Sequence, residues 1–327
     1  MSTSLGPEPF HAHDKIHWMI NTKLTVPGVH AVLREAERLA TTADRASLAR
    51  HMWGYAEHLR YYLTSFEVDN APAGLSEQYV NDALARFLRT VEFIPVPAGE
   101  RILEIGSNPY FFHILLHKLF PGADIRGANF FDKNVFSGAV GSLQQRTHSN
   151  LFQEEFDFES TLFSLETLPT YPFPEGFFDL VFFCETLEHL AVDPLSTFSR
   201  LRRILKYGGY LIITLPNAVR LTNFALMLDG FNFFDIYSVN GINGRHNREY
   251  TLSELTNLLV RNGYQIVRAE TWDRFDYDQV DIWSADYTGQ TVKINRRKSE
   301  LLKILQRASA KMSDRGDNLY VLARNPA

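Results

Sequence analysis

The sequence predicts an α/β protein. The expected architecture is a doubly wound, mostly parallel sheet of seven strands, with a helical N-terminal cap and a lid insertion after the fifth strand. Three observations carry this. Apolar residues recur at helical spacing up to about residue 95, and from Arg101 the pattern changes to alternating short strands and helices. Gly and Pro punctuate the change, with Pro95 and Pro97 stopping the helical part. The length, 327 residues, suits one elaborated α/β domain or two small ones.

The elements follow in order. Leu48, Met52, Tyr55, Leu59, Tyr62 and Phe66 line one face of a helix, and Val80, Leu84, Phe87 and Val91 line another, with Ser76 as its expected N-cap. RILEI (101–105) is the first strand. A turn at Gly106–Pro109 leads into a helix bearing Phe112, Leu115, Leu116 and Leu119, which Pro121-Gly122 ends. The second strand covers about Asp124 to Phe130. Residues 133–160 lack a helical period and are expected to form a hairpin insertion, with LFSL (162–165) as the third strand. FDLVFF (178–183) is the fourth. Asp193-Pro194 opens a helix that Gly208-Gly209 is expected to close, and YLIITL (210–215) is the fifth strand. Thr251 and Glu254 form a capping box for a helix carrying Leu255, Leu258 and Leu259, with Gly263 beyond its end. Strands near 264–272 and 318–323 complete the sheet.

Composition narrows the function. Apolar residues make up 45% and charged residues 22%, which rules out a wholly disordered chain. The net charge of −5 argues against a nucleic-acid binder with a basic surface throughout. A single cysteine, Cys184, excludes an intrachain disulfide and a Cys-based zinc site. The first twenty residues carry Glu8, Asp14, Lys15 and three histidines and do not read as a signal peptide. No apolar stretch approaches the roughly 18–20 residues of a membrane span. A cytoplasmic location is expected. The 25 Phe and 14 Tyr predict aromatic walls somewhere in the fold.

The strongest single feature is LEIGSNPYF (103–111) between a strand and a helix, where open α/β sheets bind ligands. With it go Asn129 at the end of the second strand, the run PFPEGFFDLVFFCETLEHL and the run KYGGYLIITLPN. In the order and spacing of these four motifs the chain resembles the class I S-adenosylmethionine-dependent methyltransferases, over roughly residues 98–273 and 317–325. The likeness is closest to bacterial members that methylate sugars or secondary metabolites. The resemblance implies a Rossmann-like fold and S-adenosylmethionine as cofactor. It assigns residues 98–327 to the cofactor-binding domain and 1–97 to the helical cap, with the lid at about 217–250 and a basic helical insertion at about 290–315. It places Glu104, Gly106, Asn108, Pro109, Tyr110, Asn129, Glu166, Cys184 and Glu185 at the cofactor.

The chain departs from that family's pattern at several positions. Asn108 and Tyr110 stand where the second and third glycines of the first turn are usual. Tyr110 must therefore point away from the cofactor or pack on it. Asn129 replaces the usual acid that binds the ribose hydroxyls, with Asp132 three positions on, and an amide there forgoes charge assistance worth about 1 kcal/mol. Glu166 follows the third strand, at the family's adenine contact. A dinucleotide reading is poorer, because both the G-x-G-x-x-G pattern and the later acid are missing.

Glu185, Glu188 and His189 resemble a divalent-metal cluster proposed for the quinone O-methyltransferase branch, an alternative not favoured over metal-free chemistry. Beyond the fifth strand, Phe231, Phe233, Phe234 and Tyr237 form an aromatic insertion in a connection long enough to suggest function. His189 and His246 are the candidate bases, with Arg248, Tyr250 and Phe234 as acceptor contacts. The alternative for His246 and Arg248 is that they fasten the lid to the following helix. Between Lys293 and Arg315 eight basic side chains face two acidic ones, which reads as a solvated helix face or as attraction for an anionic acceptor. The expected function is O-methylation of a small molecule or glycan. The alternatives are N- or C-methylation of a secondary metabolite, or cofactor binding without catalysis.

Overall fold

The computed structural model describes residues 24–42, 45–95, 97–130, 140–234, 245–273, 279–285 and 291–326. Asp132, Tyr237 and lid residues 235–244 lie outside the described residues. The described helices are α1 (Val26–Thr41), α2 (Arg45–Gly54), α3 (Ala56–Thr64), α4 (Leu75–Val91), α5 (Phe111–Leu119), α6 (Pro194–Ile204), α7 (Leu221–Leu228), α8 (Leu252–Arg261) and α9 (Lys298–Arg307). The strands are β1 (Glu67–Val68), β2 (Arg101–Ile105), β3 (Asp124–Asn129), β4 (Gly141–Ser149), β5 (Glu154–Leu162), β6 (Phe178–Cys184), β7 (Leu205–Pro216), β8 (Gln265–Trp272), β9 (Gln279–Ala285), β10 (Thr291–Arg297) and β11 (Asn318–Arg324). Among the described residues no helix is long and apolar enough to cross a membrane.

Local chemistry sets the helix starts. The Asp193 side chain accepts the Leu195 N–H at 2.9 Å and Pro194 occupies the first turn of α6. Thr251 accepts the Glu254 N–H at 3.2 Å and starts α8 as the capping box predicts.

Nine strands form one sheet in the order β1-β4-β5-β3-β2-β6-β7-β11-β8. β5, β3, β2, β6 and β7 run parallel, and β11 is antiparallel to both β7 and β8. Alternation along the strands splits the core in two. Ile102, Leu180, Phe182 and Ile212 face the helices α1 to α5, in one cluster with Leu59, Leu84 and Leu115. Leu103, Val181, Phe183 and Ile213 face Phe198 and Leu201 of α6 and Leu255 and Leu259 of α8. The N-terminal helices and the sheet therefore share a hydrophobic core. A third, smaller cluster joins Leu221 and Ala225 of α7 to Ile294 of β10 and to Leu301 and Leu305 of α9.

Several expectations need correcting. Among the described residues the sheet has nine strands instead of seven, and β9 pairs with β10 as a separate two-stranded ribbon. The third parallel strand is β5, Glu154–Leu162, so LFSL lies just beyond it. β5 also pairs antiparallel with β4, which makes the expected hairpin; strand alternation explains the missing helical period. The helix over 48–66 breaks at Tyr55 into α2 and α3. Ser76 does not cap α4; Gly74 holds that position and the Ser76 hydroxyl donates to the Phe66 carbonyl. α6 ends at Ile204, and Gly208-Gly209 sit inside β7. A Cβ on Gly209 would lie 3.0–3.1 Å from the carbonyl oxygens of Lys206, Phe178 and Asp179, so its glycine serves close strand packing. Part of the basic insertion is also strand, β10.

Candidate active site

β2 ends beside β3 and β6 at the centre of the parallel strands, and the β2–α5 turn sits where the strand order reverses. Gly106 adopts φ +84°, and a Cβ there would stand 2.6 Å from the Thr186 hydroxyl. Only glycine lets this turn approach the end of β6 so closely.

The substituted glycine positions have a different use. Tyr110 holds a left-handed φ of 74° and is fully buried. Its ring stacks on Phe158 of β5 at 5.5 Å, and its hydroxyl lies 3.1 Å from the Ser160 hydroxyl. Its side chain is thus anchored on β5. Asn129 accepts the Asn108 N–H at 3.0 Å and donates to the hydroxyls of Ser107 and Tyr110 at 2.9 and 3.2 Å. Both amide hydrogens of Asn129 are consumed, so the side chain pins the turn to β3 instead of presenting donors to a ligand.

Glu104 is buried and lies 2.7 Å from His113 Nδ1 on α5. Burial raises the carboxyl well above its ordinary range and depresses the imidazole. Both partners resist charge, so the pair is held neutral, with the proton between them. Glu166 also turns to its own surroundings: its carboxylate accepts the Ala191 N–H, and its carbonyl accepts from Arg200.

A cavity of about 90 Å³ lies against this turn, lined by Gly106, Asn108, Cys184, Glu185 and, from α4, Arg86. Burial pushes the Cys184 thiol up to about 12, so it stays neutral. Glu185 has a left-handed φ of 48° and is fixed by Thr214, Asn318 and Arg86, at 2.9, 3.2 and 2.7 Å. This takes Glu185 out of the cluster expected with Glu188 and His189.

His246 takes its place. Glu188, His189 and His246 have ligand-type atoms all within 4.8 Å of one another, an arrangement that could hold a cation. The two imidazole rings meet edge to face at 5.0 Å. His189 Nδ1 lies 3.0 Å from the Arg245 carbonyl, and His246 Nδ1 lies 3.2 Å from Glu249. Each acceptor calls for the proton on Nδ1, which puts the lone pair on Nε2, and in His189 that nitrogen faces Glu188 Oε1 at 4.0 Å. Glu249 is clamped by Arg220, both nitrogens at 2.8 Å, and by Asn223 at 2.8 Å. Burial alone would raise its pKa, but His246, Arg220 and Asn223 hold it below the ordinary range. Glu188 has no such support. Burial and the negative charge of Glu185 push its carboxyl up to about 8, against the pull of His246, and Oε2 has no hydrogen-bond partner among the described residues.

A second, open cleft of about 720 Å³ begins one residue beyond each histidine, at Leu190 and Asn247. Phe233, Phe234, Arg248 and Tyr250 wall it. Arg248 pairs with Glu254 in the first turn of α8 and lies over the Tyr250 ring at 5.4 Å. It therefore ties the lid to that helix while lining the cleft.

Residues 75–269, well over half of the chain, match a family model described as a methyltransferase domain. The chain belongs to the methyltransferase-domain family. It is an S-adenosylmethionine-dependent methyltransferase, with S-adenosylmethionine as cofactor. No curated protein matches it in sequence. Among solved structures it is similar to an S-adenosylmethionine-dependent methyltransferase from Mesorhizobium loti, at 16% identity and a TM-score of 0.42, over 73% of this chain and 97% of that one. One from Archaeoglobus fulgidus is similar at 16% identity and a TM-score of 0.42, over 73% and 91%. The [4+2]-cyclase SpnF is similar at 14% identity and a TM-score of 0.38, over 79% and 85%.

The site fits one end of this cofactor. A cavity of about 90 Å³ is small beside the ~300–1,000 Å³ of whole-ligand sites. It is lined by a buried guanidinium whose Nε lacks a partner among the described residues and by the Glu185 carboxylate, which suits an amino-acid group. Arg86, His113 and Glu249 were missed in the sequence. Arg86 lies off the apolar stripe that defines α4 yet is buried with its neighbours, which the helical spacing alone does not convey. His113 gave none, since its partner Glu104 sits on the preceding strand, and Glu249 stands three residues after His246, but the Arg220 and Asn223 that clamp it come from twenty-nine and twenty-six residues earlier.

Proposed function

We propose that this enzyme methylates a hydroxyl group of a small molecule or glycan. The observation that carries the reading is the His189–His246 pair, with both Nδ1 atoms tied down and the open cleft beginning one residue from each. A sugar hydroxyl is a weak acid, and an imidazole with its lone pair fixed on Nε2 is suited to take its proton. S-adenosylmethionine supplies an electrophilic methyl group on a sulfonium, so the chain need only align the acceptor, exclude water and remove the proton. Glu249, clamped by Arg220 and Asn223, orients His246 and stabilises the imidazolium formed. Phe233 and Phe234 offer flat apolar faces, and Asp193, Asn247 and Arg248 offer polar groups, a combination suited to a sugar ring.

The basic run is partly neutralised. Arg296, Lys298 and Lys311 pair with Asp229, Asp273 and Asp314, which weakens the support for an anionic acceptor. The test is methyl transfer to a panel of sugars, phenols and amines, with products identified by mass spectrometry. Methylated hydroxyls are expected, and His246→Ala and His189→Ala should lower kcat about 10²-fold. Transfer to amines alone, or full turnover by both variants, would overturn the reading.

A further inference from the structure

We infer that Arg86, on helix α4 of the N-terminal region, reads the carboxylate of the amino-acid end of S-adenosylmethionine. The inference rests on the cofactor assignment above. Arg86 is 9% exposed and lines the small cavity beside the β2–α5 turn. Its Nη1 is 2.7 Å from Glu185 Oε2, while Nε is buried with no hydrogen-bond partner among the described residues. A buried guanidinium nitrogen left without an acceptor is costly, and a ligand carboxylate is the acceptor that best relieves it.

The charges around the cavity select the ligand. Arg86 contributes one positive charge and Glu185 one negative, while Glu104 is occupied with His113. A plain anion would meet the Glu185 carboxylate, and a plain cation would meet the guanidinium. A zwitterion satisfies both, its carboxylate toward Arg86 and its ammonium toward Glu185. The left-handed backbone of Glu185 supports the same view, since such strain collects where geometry serves a ligand. Thr214 and Asn318 hold that carboxylate in place.

Arg89, one turn along the same helix, is an internal control. Its Nε is also buried without a partner among the described residues, but its guanidinium pairs with both Glu92 and Glu270 and does not line the cavity, so it is the cavity that sets Arg86 apart. Its role is to hold α4 against the sheet edge.

The experiment is calorimetric titration of the full chain with three probes. These are S-adenosylhomocysteine, its decarboxylated analogue, and methylthioadenosine, which lacks the amino-acid end. The wild type should bind S-adenosylhomocysteine about 10–100-fold more tightly than the decarboxylated analogue, the range of one charge-assisted hydrogen bond. Arg86→Met should lose that discrimination and keep its affinity for methylthioadenosine. Arg86→Lys should recover part of it, and Arg89→Met should leave the ratio unchanged. Equal wild-type affinity for the acid and its decarboxylated analogue overturns the inference without needing any variant to fold. So does an Arg86→Met protein that loses all three ligands alike. A folded wild type that binds none of them defeats the cofactor assignment itself, and this inference with it.

Discussion

The two cavities are built on opposite plans. The small one is walled by strand ends, by helix α4 and by a turn whose polar groups already have partners: Asn129 with Asn108, Ser107 and Tyr110, and Glu104 with His113. The large one is walled by connections. Its most prominent aromatic, Phe234, is 51% exposed, and Arg248 holds it together through a surface ion pair with Glu254. The first is specified by backbone conformation and buried hydrogen bonds, which tolerate little change. The second is specified by side chains on loops, which can vary without disturbing the sheet. Under the proposed function, the shared cofactor would sit in the first and the particular acceptor in the second.

The comparison breaks most visibly at Tyr110. If the turn is held by its burial, Tyr110→Ala should cost about 3–5 kcal/mol of stability, as for other buried aromatics. Tyr110→Phe should cost about 1 kcal/mol for the hydroxyl that meets Asn129 and Ser160. Urea unfolding measures both, and a negligible loss for the alanine variant would show that the turn stands without it. Glu249 comes next, because it belongs to the lid yet is buried like the first cavity. Glu249→Gln leaves Arg220 without its counter-charge and His246 without its anchor, so about 3 kcal/mol should be lost. The kcat should fall about 10–100-fold with the misplaced imidazole. Stability curves and initial rates on the same protein separate the two effects.

How much could be read beforehand follows the same division. The parallel strands were legible because RILEI, FDLVFF and YLIITL are short apolar runs between turn residues. The α8 capping box was legible because its chemistry spans four residues. The β4–β5 hairpin was legible only as an absence of helical period, and its long strand hid the third parallel strand inside it. The place of Asn129 at the end of the second strand suggests a ribose contact. Its actual bonds run to residues some twenty positions earlier, a distance no local pattern conveys. Glu185 is a similar case. Adjacent spacing grouped it with Glu188 and His189, while a left-handed backbone turns it toward Arg86 and Asn318. His246 entered the cluster through the lid, from fifty-seven positions further along the chain, as only the fold could reveal.

A smaller effect tests the boundary between the two plans. Glu188 is raised to about 8 in the folded chain from an ordinary value near 4.5, first by burial and then by Glu185. The folded state therefore binds more protons than the unfolded state between those values, and its stability must fall as pH rises. The contribution is fully present below pH 4.5 and is lost on the way past pH 8. Wild type should lose stability between pH 6 and pH 9, by on the order of a few kcal/mol. Glu188→Gln should show a flatter profile over that range. Urea melts at the two pH values decide it, and parallel profiles for both proteins would mean that Glu188 is compensated in the fold.

The smallest expected change in stability, and the sharpest for function, is at Phe234. It is half exposed and stacked loosely with Phe233, the ring centres 4.5 Å apart. Removing it takes little apolar surface out of the core, so Phe234→Ala should shift stability by no more than about 0.5 kcal/mol. Affinity for S-adenosylhomocysteine should be unchanged, because no cavity wall near the β2–α5 turn includes it. Only the acceptor would notice: one aromatic face is worth roughly 1–2 kcal/mol to a bound ring, about a tenfold rise in KM. A drop in cofactor affinity of the same size would mean that the two cavities communicate. In that case the division between a rigid cofactor half and an adaptable acceptor half would have to be given up.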